Sequence, residues 1–111
     1  MLIGALGFFA VAALLGMYLL SLVLREKKAS KYVAITHGLF AATGLILLII
    51  YPFFYEPAPI LSLALLAGAA MGGLLFLYKN LAGQPLPKWL ALGHGSVALI
   101  GIVTLVVFII L

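Results

Sequence analysis

The sequence contains no cysteine and very few charged residues. Its 111 residues include only two acidic side chains, Glu26 and Glu56, and charged residues make up 7% of the chain. The absence of cysteine excludes disulfide bonds, thiolate metal ligands and thiol catalysis. Two isolated acids supply neither a carboxylate metal cluster nor a general acid–base pair. We therefore expect no catalysis by this chain alone.

Long apolar runs take the place of a charged surface. Hydrophobic residues make up 68% of the sequence, whereas about a quarter of the residues in a soluble domain are charged. About 20 apolar residues in a helix cross a hydrocarbon core of about 30 Å, and lipid requires the backbone to satisfy its own hydrogen bonds. The sequence therefore predicts an all-α integral membrane protein with four transmembrane helices. The runs are Leu2–Leu24, Tyr32–Tyr51, Ile60–Tyr78 and Trp89–Leu111.

The placement of the basic residues predicts the topology. They surround the first and third loops, whereas the middle loop, Tyr51–Pro59, carries only Glu56. Under the positive-inside rule, loops one and three face the cytoplasm, and both termini and the middle loop lie on the non-cytoplasmic side of the inner membrane. The net charge of +4 is then topological, and we expect no nucleic-acid partner. The basic residues are Arg25, Lys27, Lys28, Lys31, Lys79 and Lys88.

The first apolar run is expected to remain as a span. Its basic residues follow it, whereas a cleavable signal peptide has a basic region before a shorter apolar core.

An internal repeat relates the two halves of the chain. Residues 31–44 and 88–101 align without gaps at an offset of 57 positions, and six of these fourteen positions are identical. The identities include lysine, histidine and glycine, which a shared apolar composition does not explain. We interpret residues 1–56 and 57–111 as two tandem copies of one helical hairpin within one compact domain. Because each copy holds two spans, the copies should be related by a pseudo-two-fold axis along the membrane normal.

Two histidines are the most informative polar residues inside the spans. His37 and His94 are the only imidazoles in the sequence, and they are equivalent in the repeat. Each follows its boundary lysine, Lys31 or Lys88, by six residues, so both should lie about 9 Å inside the cytoplasmic boundary. Ionisable residues at such a depth are costly and commonly have a function.

Small residues accompany the histidines. Positions four and seven residues after a histidine share its helix face, and further glycines in the first and third helices are expected at a similar depth. Together these residues could leave a slot beside the imidazoles. They are Gly38, Ala41 and Gly44 with their equivalents Gly95, Ala98 and Gly101, together with Gly16 and Gly73.

This arrangement is typical of a haem site. Two neutral imidazoles that face one another across a bundle can serve as the axial ligands of six-coordinate haem iron, and bundle cores commonly hold such cofactors. The sequence therefore predicts one haem b, with His37 and His94 as iron ligands. If each Nε2 binds iron, each Nδ1–H needs an acceptor, and the carbonyls of Val33 and Leu90, one turn earlier, are candidate acceptors.

The two histidine-bearing helices resemble in architecture the b-type haem units of membrane cytochromes such as cytochrome b561. Those di-haem proteins use four axial histidines, so a chain with two can hold at most one such haem. The resemblance implies electron transfer, with quinone or other membrane subunits as partners. We expect the haem propionates to lie near the basic boundary, with Lys31 and Lys88 as candidate partners.

Two other functions are consistent with the sequence. Small residues at four-residue spacing commonly pack membrane helices, so the histidines could be structural in a haem-free accessory or assembly subunit of a larger membrane complex. A small transporter is the third hypothesis, because the chain is similar in length and helix number to the small multidrug resistance transporters. Those proteins use an acidic residue in the first helix, which this chain lacks.

Overall fold

The computed structural model describes the whole chain, Met1–Leu111, as four long helices and one short 3₁₀ turn. The helices are α1 (Leu2–Leu24), α2 (Lys31–Ile50), α3 (Ile60–Leu81) and α4 (Lys88–Ile110), and the 3₁₀ turn is Tyr51–Phe53. All four helices are long and apolar enough to cross a membrane. The prediction of an all-helical chain with four such helices is confirmed.

Local sequence signals account for the helix ends. Ser30 caps α2, where its hydroxyl accepts a hydrogen bond from the Val33 amide at 3.5 Å. Pro59 and Pro87 immediately precede α3 and α4. Proline has no amide hydrogen, and at the start of a helix that hydrogen would have no partner within the helix, so proline is tolerated there. The prolines Pro57 and Pro59 predict an extended connection over residues 53–58, and this prediction is wrong. The chain continues from α2 through the 3₁₀ turn into bends, because Pro52 can occupy the first turn of a new helical segment.

The four helices pack as a ring. Within the hairpins α1 packs against α2 and α3 against α4, and between the hairpins α1 packs against α4 and α2 against α3. Helices α2 and α4 therefore face one another across the bundle, which measures 43 × 19 × 18 Å. Loops 25–30 and 82–87 meet at one end, where the Glu26 carboxylate lies 3.3 Å from the Lys88 ammonium. We call this the basic end, and the end with the middle loop and both termini the aromatic end.

The connected core lies towards the aromatic end. It contains Ala5, Phe9, Leu48, Leu66 and Leu105, all of which are buried. Only 13 of the 111 residues are buried, so large apolar side chains cover the outside of the bundle. A surface of this kind is favourable in lipid and unfavourable in water.

Candidate functional site

His37 leans from α2 onto α1. Its Nδ1 atom lies 2.7 Å from the carbonyl oxygen of Ala12. A carbonyl oxygen can only accept a hydrogen bond, so Nδ1 carries the proton and donates it. Neutral imidazole carries one ring proton, which leaves the Nε2 atom of His37 with a free lone pair.

His94 repeats this arrangement in the second hairpin. Its Nδ1 atom lies 2.7 Å from the carbonyl oxygen of Ala69, on α3. Both the donors and the acceptors are separated by the offset of 57 positions found in the sequence. The two imidazoles are therefore fixed in the same tautomer by the same type of bond, each to the other helix of its own hairpin.

The acceptors expected from the sequence were wrong. The carbonyls of Val33 and Leu90, on the histidines' own helices, were predicted, and the structure has Ala12 and Ala69 instead. The physical reason is the direction in which the rings leave their helices. His37 projects from the face of α2 that packs against α1, so its ring reaches a carbonyl of α1 without folding back onto its own helix.

Glycine makes room for each ring. A Cβ atom added to Gly16 would lie 3.0 Å from Cε1 of His37, and one added to Gly73 would lie 3.2 Å from Cε1 of His94. Both distances are shorter than ordinary van der Waals contact. The pattern Ala-x-x-x-Gly in α1 and α3 therefore has a structural explanation, because the alanine carbonyl accepts the imidazole proton and the glycine one turn later accommodates the ring.

The two imidazoles face one another across the bundle. Their ring centres are 6.2 Å apart, and their planes cross at 83°. Two metal–imidazole bonds of about 2 Å, with roughly 1 Å from each Nε2 to its ring centre, place the ring centres of a linear complex about 6 Å apart. The observed separation of His37 and His94 is close to this value, and it also lies within the range of about 4.5–7 Å between the centres of directly packed aromatic rings.

The number of donors restricts which metal centre would fit. The structure has no group of three or more histidine, cysteine, aspartate or glutamate side chains that could hold a metal ion. A structural zinc site takes four protein ligands, whereas haem iron receives four nitrogens from the porphyrin and needs only two axial ligands. Two imidazoles are therefore too few for a structural zinc site, whereas their number equals that of the axial ligands a haem needs.

The other small residues predicted to line a slot lie in different surroundings. Gly44 packs against the Ala5 carbonyl and the Phe9 ring, where an added Cβ would lie 3.2 Å from both. Gly101 packs against Leu66. A Cβ added to either glycine that directly follows a histidine would meet nothing within 4 Å. The two predicted alanines are partly buried. These four residues are Gly38, Gly95, Ala41 and Ala98.

Phe76 is a neighbour of the site that the sequence did not indicate. Its ring centre lies 6.5 Å from that of His94, at an angle of 44°. Leu19 lies 57 positions earlier, at the corresponding position of the first hairpin. The two halves of the site therefore differ in their apolar surroundings, and a comparison of the halves position by position could have found this difference.

The predicted propionate partners lie at the basic end. Lys31 and Lys88 are the first residues of α2 and α4, and both are exposed. Lys88 forms the only ion pair of the structure, with Glu26. Because both partners are largely in contact with solvent, this pair contributes at most about 1 kcal/mol to stability.

Comparisons with protein-family models, curated proteins and solved structures find no match to this chain.

Proposed function

We propose that this chain is a multi-pass protein of the cytoplasmic membrane, built from two copies of one helical hairpin. The basic end faces the cytoplasm in this proposal, and both termini face the opposite side. All six basic residues lie at this end of the bundle, and basic residues are enriched on the cytoplasmic side of membrane proteins. Cysteine-scanning accessibility tests it, because residues 27 and 28 should react with a membrane-impermeant thiol reagent only from the cytoplasmic side.

We further propose that His37 and His94 hold one haem b, and that the protein transfers electrons as a subunit of a larger membrane redox complex. The observation that carries this proposal is the pair of free Nε2 atoms on rings whose centres are 6.2 Å apart. Each ring is oriented by an Nδ1–H bond to a carbonyl, which is the outer interaction typical of metal-bound histidine.

Bound haem would supply one-electron chemistry at the iron. The chain's own contribution is to fix the tautomer and direction of both imidazoles before the cofactor arrives. The bonds to Ala12 and Ala69 also raise the electron density at each Nε2, which strengthens it as a ligand. Electrons would pass to other membrane subunits or to a quinone.

An absorption spectrum of the solubilised protein, expressed with sufficient haem, tests this function. We expect a reduced-minus-oxidised spectrum of a six-coordinate haem b and one haem per chain on pyridine extraction. His37→Ala and His94→Ala should each abolish the six-coordinate spectrum. Gly38→Ala is the matched control, because an added methyl group there meets nothing within 4 Å. Folded wild-type protein that contains no haem would refute the proposal.

A haem-free accessory subunit is the second candidate function. It is favoured by the fact that each imidazole already donates a short hydrogen bond within its own hairpin, which alone would justify a polar residue there. In this case His37→Ala should reduce stability without a change in any spectrum, and the protein should co-purify with a larger membrane complex. Isolation of the chain alone with a bound chromophore would exclude this candidate.

A further inference from the structure

The helices that end at the basic end, α1 and α3, have the same C-terminal cap. Each is followed by a residue in the left-handed conformation, Glu26 with φ 56° and Gly83 with φ 70°. The amide of Glu26 donates to the Val23 carbonyl at 3.1 Å, and that of Gly83 donates to the Asn80 carbonyl at 3.2 Å. The main chain is therefore the same at these two positions, which are 57 residues apart.

The side chains at these caps differ. Glycine adopts the left-handed conformation without strain, whereas an L side chain such as that of Glu26 is unfavourable there. From this position the carboxylate of Glu26 lies 3.3 Å from the ammonium of Lys88, on α4. The corresponding lysine of the first hairpin is Lys31, on α2, and its corresponding cap residue is Gly83, which has no side chain. Lys31 therefore has no acidic partner.

The first residue of α2, Lys31, thus carries a positive charge without an ion-pair partner, as do Arg25, Lys27 and Lys28 in the preceding loop. Lys79, in the last turn of α3, is also unpaired, and an apolar residue, Leu22, corresponds to it on the other side. Tyr32 follows Lys31 and is 81% exposed, as expected for a ring at a membrane interface. Unpaired lysines beside an exposed interfacial ring attract anionic lipid headgroups.

We propose that the phosphate of an anionic phospholipid binds Lys31 at the start of α2, where no carboxylate corresponds to that of Glu26. A lipid fits better than an acidic protein, because the loops at the basic end are only six residues long and offer little surface beyond the headgroup layer. Lipid binding at Lys31 requires neither the histidine site nor a haem.

Native mass spectrometry of the detergent-solubilised chain tests it, with dioleoylphosphatidylglycerol as the probe and dioleoylphosphatidylcholine as the neutral comparison. We expect one retained phosphatidylglycerol per chain and weaker retention of phosphatidylcholine. Lys31→Gln should weaken phosphatidylglycerol binding about fivefold. Lys28→Gln removes the same charge from the adjacent loop and should have a clearly smaller effect. Equal effects of the two variants, or equal retention of the two lipids, would overturn the proposal.

Exchange of the cap residues provides a sharper test. Gly83→Glu gives Lys31 an internal carboxylate, so lipid binding should decrease as in Lys31→Gln. Glu26→Gly releases Lys88, so a second phosphatidylglycerol should be retained. Unchanged lipid binding in Gly83→Glu, with helix content intact by circular dichroism, contradicts the inference. If glycerol phosphate displaces the lipid at an equal concentration, the site takes small phosphates and the assignment to a lipid is wrong.

Discussion

Substitution of Gly16 by alanine tests the docking of the imidazole in α1. The added Cβ would lie 3.0 Å from Cε1 and 3.4 Å from Nδ1 of His37, so the ring must move by several tenths of an ångström. That movement strains or breaks the 2.7 Å bond to Ala12. Overpacking costs typically about 1–3 kcal/mol, and a lost hydrogen bond about 1 kcal/mol more.

Gly38→Ala is the matched control for this substitution. It makes the same chemical change in a helix, and its new methyl group meets nothing within 4 Å. The gain in helix propensity, at most about 1 kcal/mol, is then common to both variants and cancels in the comparison. We expect Gly16→Ala to be less stable than Gly38→Ala by about 2–4 kcal/mol.

Thermal unfolding of both variants in the same detergent provides the measurement. If haem is bound, Gly16→Ala should also lose six-coordinate character in the absorption spectrum, whereas Gly38→Ala should keep it. Equal melting temperatures for the two variants would show that His37 moves without cost. The assignment of Gly16 as the residue that makes room for the ring would then be wrong.

Three further substitutions test the packing and the caps. Gly101→Ala places a Cβ 2.8 Å from Cγ of Leu66, so we expect a loss of about 1–3 kcal/mol in unfolding measurements. Leu48→Ala should lower the free energy of unfolding by about 2–5 kcal/mol, because Leu48 is fully buried. Leu14, which is 69% exposed, provides the control, and Leu14→Ala should lower it far less. Similar decreases in the two variants would contradict the described core. Glu26→Gly removes the strain of an L residue in the left-handed conformation and also removes one surface ion pair. Its free energy of unfolding should therefore rise by 0 to about 1 kcal/mol. A large decrease would show that the ion pair outweighs the backbone strain.

The helices were predictable because their determinants are local. Run length and the absence of charge defined four segments, and lysine or proline at their ends set boundaries within a few residues of those observed. The predicted second run, Tyr32–Tyr51, differs from α2 by one residue at each end. The two loops at the basic end were predicted to lie on the same side of the membrane, and the contact of Glu26 with Lys88 places them at the same end of the bundle.

The partners of the histidines were not predictable in the same way. Whether Nδ1 of His37 bonds to Val33 or to Ala12 depends on how α2 is rotated against α1, and the sequence of α2 alone does not determine that rotation. The same limit applies to the glycines. Gly16 and Gly44 are both small residues at suitable depths, yet one contacts an imidazole and the other packs against Ala5 and Phe9.

The uneven distribution of buried contacts has a mechanical consequence. The connected core, which includes Leu48 and Leu105, lies near one end of the bundle, whereas buried residues towards the other end, such as Leu22 and Ala91, lie outside this core. The imidazole of His37 is eleven residues from Leu48, which is a lever of about 16 Å in a helix. A pivot of about 3° at the core therefore changes the separation of the two rings by nearly 1 Å. A small tilt of one hairpin about the core would therefore change the spacing between the imidazoles while each hairpin keeps its own packing.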